Sequence, residues 1–122
     1  MRTIIAGGRD ITDILLVEQA VCESGFEITY VVSGKARGVD TLGEQWAEAR
    51  GIPVLSFPAN WDKYGKAAGA IRNKEMAENA DALIAIWDGV SLGTGNMVSA
   101  AFQKGLKVFV LNLGRVNQQS LW

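Results

Sequence analysis

The chain has 122 residues, of which 48% are hydrophobic and 20% are charged, and its formal net charge is −1. We expect one globular domain, because this length is too short for two, and the nearly balanced charge excludes a whole-protein attraction to nucleic acid or anionic membranes. The absence of histidine and the single cysteine, Cys22, exclude a Ser-His-Asp triad, most zinc sites and an intrachain disulfide, and we expect Cys22 to be a buried, inert thiol.

Short apolar runs alternate with segments of helical period along the chain. Strands are predicted at Thr3–Ala6, Ile28–Val32, Ile52–Phe57, Ala82–Trp87 and Val108–Leu113. Helices are predicted from a cap at Thr12 or Asp13 to Gly25, and over Thr41–Arg50, Ile71–Asn79 and Thr94–Lys104. The segment from Pro58 to Gly69 shows neither period and is expected to be a loop.

The strand sequences indicate a parallel sheet. They are apolar at nearly every residue, which is typical of strands buried on both faces between helices. With right-handed crossovers, the β-α-β-α-β-α-β-α-β order predicts an α/β fold, a single Rossmann-like three-layer domain over residues 1–113 with a five-stranded parallel sheet and helices on both faces. Residues 114–122 have no clear period and are assigned to a C-terminal tail.

Glycine turns directly follow the first, second and fourth strands. They are expected to meet at the carboxyl edge of the sheet, where ligands bind in folds of this kind. The second turn, Ser33–Gly38, leads from a strand into a helix and contains Lys35 and Arg37. Its glycines let backbone N–H groups approach a ligand and the helix start adds partial positive charge, so the turn is a candidate phosphate site. The alternative is an ordinary βα loop whose glycines serve only the turn.

Two familiar phosphate-binding motifs are absent. Gly34-Lys35 is preceded by Thr29 at the position of the first P-loop glycine and followed by Ala36, so the Walker pattern fails. The first turn lacks the later glycines of the dinucleotide fingerprint, which argues against a classical NAD site. We therefore predict no cofactor and no metal.

Four motifs together resemble the YspA (cpYpsA-related) branch of the SLOG superfamily. They are Gly7-Gly8-Arg9, Ser33-Gly-Lys-Ala-Arg-Gly-Val-Asp40, Ile71-Arg-Asn-Lys-Glu-Met76 and Gly93-Thr94. The resemblance extends to about Leu113 and implies a Rossmann-like fold with a pocket for a nucleotide or a nucleotide-derived, ADP-ribose-like ligand. More distant members of the superfamily are the Lonely Guy phosphoribohydrolases, which cleave an N-glycosidic bond to ribose phosphate, and DprA, which binds single-stranded DNA.

The turns and the resemblance together define the candidate site. The predicted ligand-binding residues are Gly7, Gly8, Arg9, Ser33, Gly34, Lys35, Ala36, Arg37, Gly38, Asp40, Arg72, Asn73, Gly93 and Thr94. If the protein is an enzyme, the candidate catalytic residues are Asp40, Arg72 and Asp88. The alternative role of Arg72 is a surface salt bridge, and that of Asp40 is a helix cap. Trp61 and Tyr64 are candidates for stacking on a base, the alternative being that they anchor their loop.

The chain departs from the family patterns at three positions. Lys35 stands where a second glycine is expected, and Ala70 stands where YspA-type chains usually have proline. Met97 occupies the position of the glutamate that the phosphoribohydrolases carry after their fourth turn. The residues expected to bind the ligand are thus kept better than those expected to act as general acid or base. We therefore expect little or no release of free base from nucleoside monophosphates.

The leading prediction is that the protein binds a nucleotide-type small molecule as a sensor, a sequestering module or a weak hydrolase. The second is a phosphoribohydrolase that acts on a nucleoside monophosphate. A DprA-like DNA-binding role is third, because a pI of 5.4 and one basic loop do not supply a basic, aromatic track.

Without a membrane-length apolar run or a signal-peptide pattern, we expect a cytoplasmic protein with no membrane partner. Relatives often form dimers, and the apolar residues Leu121 and Trp122 fit a homodimer.

Overall fold

The computed structural model describes residues 1–113, so the predicted tail, with Leu121 and Trp122, lies outside the described residues. Its strands are β1 (Arg2–Gly7), β2 (Tyr30–Ser33), β3 (Val54–Ser56), β4 (Ala82–Trp87) and β5 (Lys107–Asn112). Its helices are α1 (Ile14–Ser24), α2 (Val39–Ala49), α3 (Trp61–Tyr64), α4 (Ala68–Glu78) and α5 (Leu92–Gln103), with a 3₁₀ turn at Gly65–Ala67. Over this part of the chain, no helix has the length and apolar character needed to cross a membrane.

The five strands form one parallel sheet in the order β3-β2-β1-β4-β5, which confirms the predicted Rossmann-like arrangement. In the centre, Ile4 of β1 lies opposite Val32 of β2 on one side and Leu83 of β4 on the other. The chain builds outward from β1 to β3, then returns to place β4 against the free side of β1. This reversal makes the carboxyl ends of β1 and β4 the switch point, where a crevice opens between the two loops.

The core has two layers, one on each face of the sheet. Ile5 points to the layer that contains Val17 of α1 and Trp46 of α2. Its neighbour Ile4 points to the opposite layer, with Met76 of α4 and Met97 of α5. The predicted placement of helices on both faces, and of Trp46 and Met76 in the core, is therefore confirmed.

Three expectations from the sequence were wrong. The segment from Pro58 to Gly69 is largely helical: the Asn60 side chain accepts a hydrogen bond from the Lys63 N–H at 3.1 Å and starts α3, and α4 begins at Ala68, inside the predicted loop. The third strand is three residues long, at one edge of the sheet. Cys22 is exposed, because the inward face of α1 is formed by other residues.

Candidate functional site

A cleft of about 530 Å³ opens at the switch point of the sheet. Its walls come from the turn after β1 (residues 7–10), the turn after β2 (Ala36 and Arg37) and the start of α5 (residues 91–94). A volume of this size is in the range of small-molecule sites. The glycine turns after the first, second and fourth strands thus meet at one edge, as their positions in a parallel sheet predicted.

Arg72, in the second turn of α4, is the most firmly held cation of the cleft. Its Nε donates to Asn73 Oδ1 at 3.0 Å and its Nη1 donates to the carbonyl oxygen of Gly34. Within residues 1–113, no atom accepts a hydrogen bond from its Nη2. Burial lowers the pKa of Arg72, while Asp40 acts in the opposite direction. A guanidinium stays charged in proteins, so Arg72 is a positive group that is held in place and partly desolvated. Its contacts are hydrogen bonds to Asn73 and Gly34, and not the surface salt bridge considered as its alternative role.

Asn73 joins Arg72 to the helix across the cleft. It is 5% exposed, and its Nδ2 donates to Asn96 Oδ1 at 2.9 Å and to the carbonyl oxygen of Gly93 at 3.3 Å. The oxygen of its side-chain amide therefore accepts from Arg72, and the nitrogen donates to α5. These contacts make Asn73 a positioning residue, because its polar atoms are directed to the protein.

Asp40 does not cap α2. The N-cap position is Gly38, without a side-chain cap bond, and Asp40 lies in the first turn with its Oδ2 accepting from the Ala36 N–H at 3.2 Å. The residue is buried in the floor of the cleft. Burial raises the pKa of Asp40 from 3.8 to about 6, against the opposite effects of the Ala36 N–H and Arg72. The cleft thus contains a carboxyl group that changes charge near neutral pH.

This burial predicts how Asp40→Asn changes stability with pH. The pKa of Asp40 is higher in the folded state than in the unfolded state, so ionisation of Asp40 costs stability as the pH rises from about 4 to 6. At about 1.4 kcal/mol per pH unit, the variant should match the wild type near pH 4 and be up to about 3 kcal/mol more stable above pH 6.5. Urea unfolding of both proteins between pH 4 and 7.5 measures the difference. A difference that does not vary with pH would contradict the placement of Asp40.

The start of α5 faces the cleft without a side-chain cap. Ser91 is at the N-cap position and makes no cap bond, whereas Leu92, Gly93 and Thr94 line the cleft in the first turn. The helix was predicted to begin at Thr94, which instead lies buried inside it, because the helix begins two residues earlier. The open N–H groups of a 12-residue helix are a suitable anion-binding element.

Asp88 is not among the residues that line the cleft. Its Oδ1 accepts from the Val90 N–H at 2.9 Å and the Ser91 N–H at 2.8 Å, and its Oδ2 accepts from Ser91 Oγ at 3.0 Å. The Ser91 and Val90 donors hold the pKa of Asp88 below its ordinary value. The carboxylate thus shapes the turn that leads into α5.

The second glycine turn is organised differently from a simple phosphate cradle. The Lys35 N–H donates to Ser33 Oγ at 3.2 Å, and the Ala36 N–H donates to Asp40, so both amides are used within the protein. Ser33 Oγ in turn donates to Glu44 Oε2 at 2.6 Å. Gly34 leaves room for both Asp40 and Arg72, since a β-carbon there would clash with Arg72 Nη1 and lie 2.9 Å from Asp40 Oδ2. The turn mainly holds the charged groups of the cleft in place.

Lys35 has a φ of 60°, the left-handed conformation that glycine adopts most easily. The glycine that the family resemblance led us to expect at this position would adopt this conformation without strain. The Lys35 ammonium forms a partly exposed ion pair with Glu44 at 2.8 Å. We expect Lys35→Gly to be about 1 kcal/mol more stable than Lys35→Ala in urea unfolding, because both remove the ion pair and only glycine relieves the left-handed strain. Equal stability of the two variants would show that the strain is absent.

Several cleft residues were not identified from the sequence. They are Asp10, Lys66, Gly69, Ala70, Ser91, Leu92 and Asn96, with Met76 and Met97 in the floor. Trp61 was considered for stacking and does line the cleft, whereas Tyr64 does not. Asn96 could have been predicted from the sequence. It is a polar residue one helical turn from Gly93, on the segment that the Gly93-Thr94 motif had already assigned to the site. No group of three or more acidic, cysteine or histidine residues that could hold a metal ion occurs in residues 1–113.

Comparison with known proteins places this chain in a family. The sequence model described as "YspA, cpYpsA-related SLOG family" matches residues 1–64. The Gene 61 protein of Mycobacterium phage D29 is 33% identical, over 93% of this chain and 96% of that protein. The X-ray structure of DNA processing protein A (DprA) from Streptococcus pneumoniae has a similar fold, with a TM-score of 0.71 and 20% identity over 89% of this chain. The chain spans about half of DprA, 49% of its length. The chain belongs to the YspA, cpYpsA-related SLOG family.

Proposed function

We propose that the protein binds a nucleotide or a nucleotide-derived ligand in the cleft, with a phosphate between the first turn of α5 and Arg72. The observation that carries this proposal is the pairing of an uncapped helix start with a partly buried guanidinium held by two hydrogen bonds. Each element favours an anion, and Asn73 contacts both of them. Membership of the SLOG family supports a nucleotide-related or nucleic-acid-related ligand in general.

The shape and lining of the cleft favour a small ligand over a nucleic acid strand. Its cations are Arg9, Arg37, Lys66 and Arg72, and they are grouped at the cleft and do not form a long basic track. Trp61 is about half exposed, at 51%, and supplies an aromatic face at the rim. A strand binder needs stacking aromatics over several nucleotides along a basic groove. A single nucleotide, with its base near Trp61 and its phosphate near the cations, would contact both kinds of group.

Titration calorimetry with AMP, GMP, CMP and UMP tests this proposal. We expect saturable binding of at least one nucleotide at one site per chain, and weaker binding by Thr94→Val, which keeps the shape of the side chain and removes its hydroxyl. Ser99→Ala, at an exposed position of the same helix, is the matched control. A 12-nucleotide single strand is titrated in parallel. Binding of the strand alone, with a steep salt dependence, would instead favour a DNA-binding role.

A second candidate function, hydrolysis of the N-glycosidic bond, is favoured by one observation. Asp40 is a buried carboxyl group in the cleft floor with a pKa near 6, the kind of group that can donate or accept a proton at neutral pH. Met97, at the position where the phosphoribohydrolases carry a glutamate, also lines the cleft and has no such chemistry. Release of free base from a bound nucleoside monophosphate, lost in Asp40→Asn with binding retained, would establish this activity.

A further inference from the structure

Beside the cleft lies a second cavity of about 430 Å³, which binding of a nucleoside monophosphate in the cleft leaves unused. The two cavities share five residues as a dividing wall: Arg9, Ala36, Arg37, Trp61 and Arg72. The second cavity adds Lys35, from the strained turn after β2. We refer to it as the second lobe. Each lobe is large enough for part of a nucleotide, and the wall between them is cationic and aromatic.

The lining of the second lobe is more positive than that of the cleft. Four cations and, in the described part of the chain, no carboxylate line it, whereas Asp10 and Asp40 line the cleft. Two of these cations have partners: Lys35 is 2.8 Å from Glu44, and Arg37 is 3.5 Å from Asp10. No carboxylate of residues 1–113 forms an ion pair with either of the other two, Arg9 and Arg72. An anion in the second lobe would therefore give these two cations the direct ionic partner that no carboxylate of the described residues supplies.

We infer that the second lobe binds a second phosphoryl group, so that the preferred ligand is a nucleotide with two phosphoryl groups. This inference rests on the proposed function, because it takes the first phosphate to lie at α5. Arg72 stands in the shared wall and can serve both groups, since a planar guanidinium has five N–H donors. Lys35 is the cation that only the second lobe contains, and it can move its ammonium from Glu44 to a phosphoryl oxygen at little cost because the ion pair is partly exposed.

The test compares mononucleotides with doubly phosphorylated nucleotides of the same base. AMP, ADP and adenosine 3′,5′-bisphosphate are titrated by calorimetry at fixed salt, together with GMP and GDP. ADP and the bisphosphate place the second phosphoryl group differently, so the two arms identify which arrangement the lobe accepts. We expect at least one of the doubly phosphorylated ligands to bind at least tenfold more tightly than its monophosphate, as one added charge-assisted contact implies.

Variants show whether the tighter binding of the doubly phosphorylated nucleotide comes from the second lobe. The readout is the ratio of the affinity for this nucleotide to the affinity for its monophosphate. Lys35→Ala should lower this ratio, whereas Lys63→Ala removes an exposed cation that lines neither cavity and should leave the ratio unchanged. Glu44→Gln should raise the ratio, because it frees Lys35 from its ion pair. Ala59→Trp fills the second lobe and should lower the ratio towards one. Its matched control is Ala49→Trp, at an exposed position in the last turn of α2.

The outcomes separate this inference from the proposed function. If the monophosphates bind and the doubly phosphorylated ligands bind no more tightly, the inference fails and the proposed function stands. A tenfold preference that survives Ala59→Trp would place the second phosphoryl group elsewhere and also overturn the inference. If none of the nucleotides binds, both are wrong.

Discussion

Gly38→Ala should cost about 2–6 kcal/mol of folding stability, a large part of the 5–15 kcal/mol typical of a domain. Gly38 has a φ of 79° and a ψ of −128°, a backbone region that residues with a β-carbon rarely adopt. A β-carbon there would also clash with the turn after β1, since it would lie 2.6 Å from Arg9 Cα and closer still to the Gly8 carbonyl oxygen. Both the strain and the overpacking therefore oppose the substitution.

Gly25→Ala is the matched control for this prediction. Gly25 also has a positive φ, 68°, but a β-carbon there would have no neighbour within 4 Å. Only the conformational cost remains, about 1–2 kcal/mol. Urea unfolding of both variants and the wild type measures the two costs, and circular dichroism shows whether Gly38→Ala folds at all. If Gly38→Ala were no more destabilising than Gly25→Ala, the two turns would not be packed against each other as described.

Arg72→Ala should weaken binding of the nucleotide by about tenfold to more than a hundredfold, because a charge-assisted contact contributes about 1.5–3 kcal/mol. The substitution removes the cation beside the helix start and also leaves Gly34 and Asn73 without their donor. Arg72→Lys keeps the charge but lacks the planar fork that makes both bonds, so we expect an intermediate affinity. Calorimetric titration of the three proteins with the same nucleotide measures the order.

Arg50→Ala is the control for charge. It removes one positive charge at the far end of α2, where the guanidinium lies 4.7 Å from the centre of the Trp46 ring, away from the cleft. Its affinity for the nucleotide should equal that of the wild type. Equal losses in Arg50→Ala and Arg72→Ala would mean that net charge, and not the geometry at Arg72, determines binding.

The fold and the location of the site followed from local features of the sequence. Continuous apolar runs such as Ala82–Trp87 identify buried parallel strands, and parallel strands bring the turns that follow them to one edge. The start of α4 was missed because Gly69 and a run of alanines carry no apolar period, although alanine favours helix. Local pattern therefore predicted the architecture well and the helix boundary poorly.

The roles of individual residues within the site depend on tertiary contacts that no local pattern records. Gly38 needs its conformation because Gly8, thirty positions earlier, lies against it. Asn73 was grouped with the ligand-binding residues, but its hydrogen bonds to Arg72 and Asn96 depend on how α4 and α5 pack. The alternative role of Asp40 as a helix cap came from its position in the sequence, whereas its burial depends on the Ser33–Gly38 turn, where the Ala36 N–H donates to its side chain.

The most direct test of the central claim is a nuclear magnetic resonance titration of the ¹⁵N-labelled protein with the nucleotide that binds best. A phosphate between α5 and Arg72 should produce saturable shifts that are largest at the backbone amides of Leu92, Gly93 and Thr94 and at Arg72 Nε. Residues at the opposite edge of the sheet, such as Gly51, should not shift. Saturable shifts centred outside the cleft, or none at these four groups, would contradict the claim.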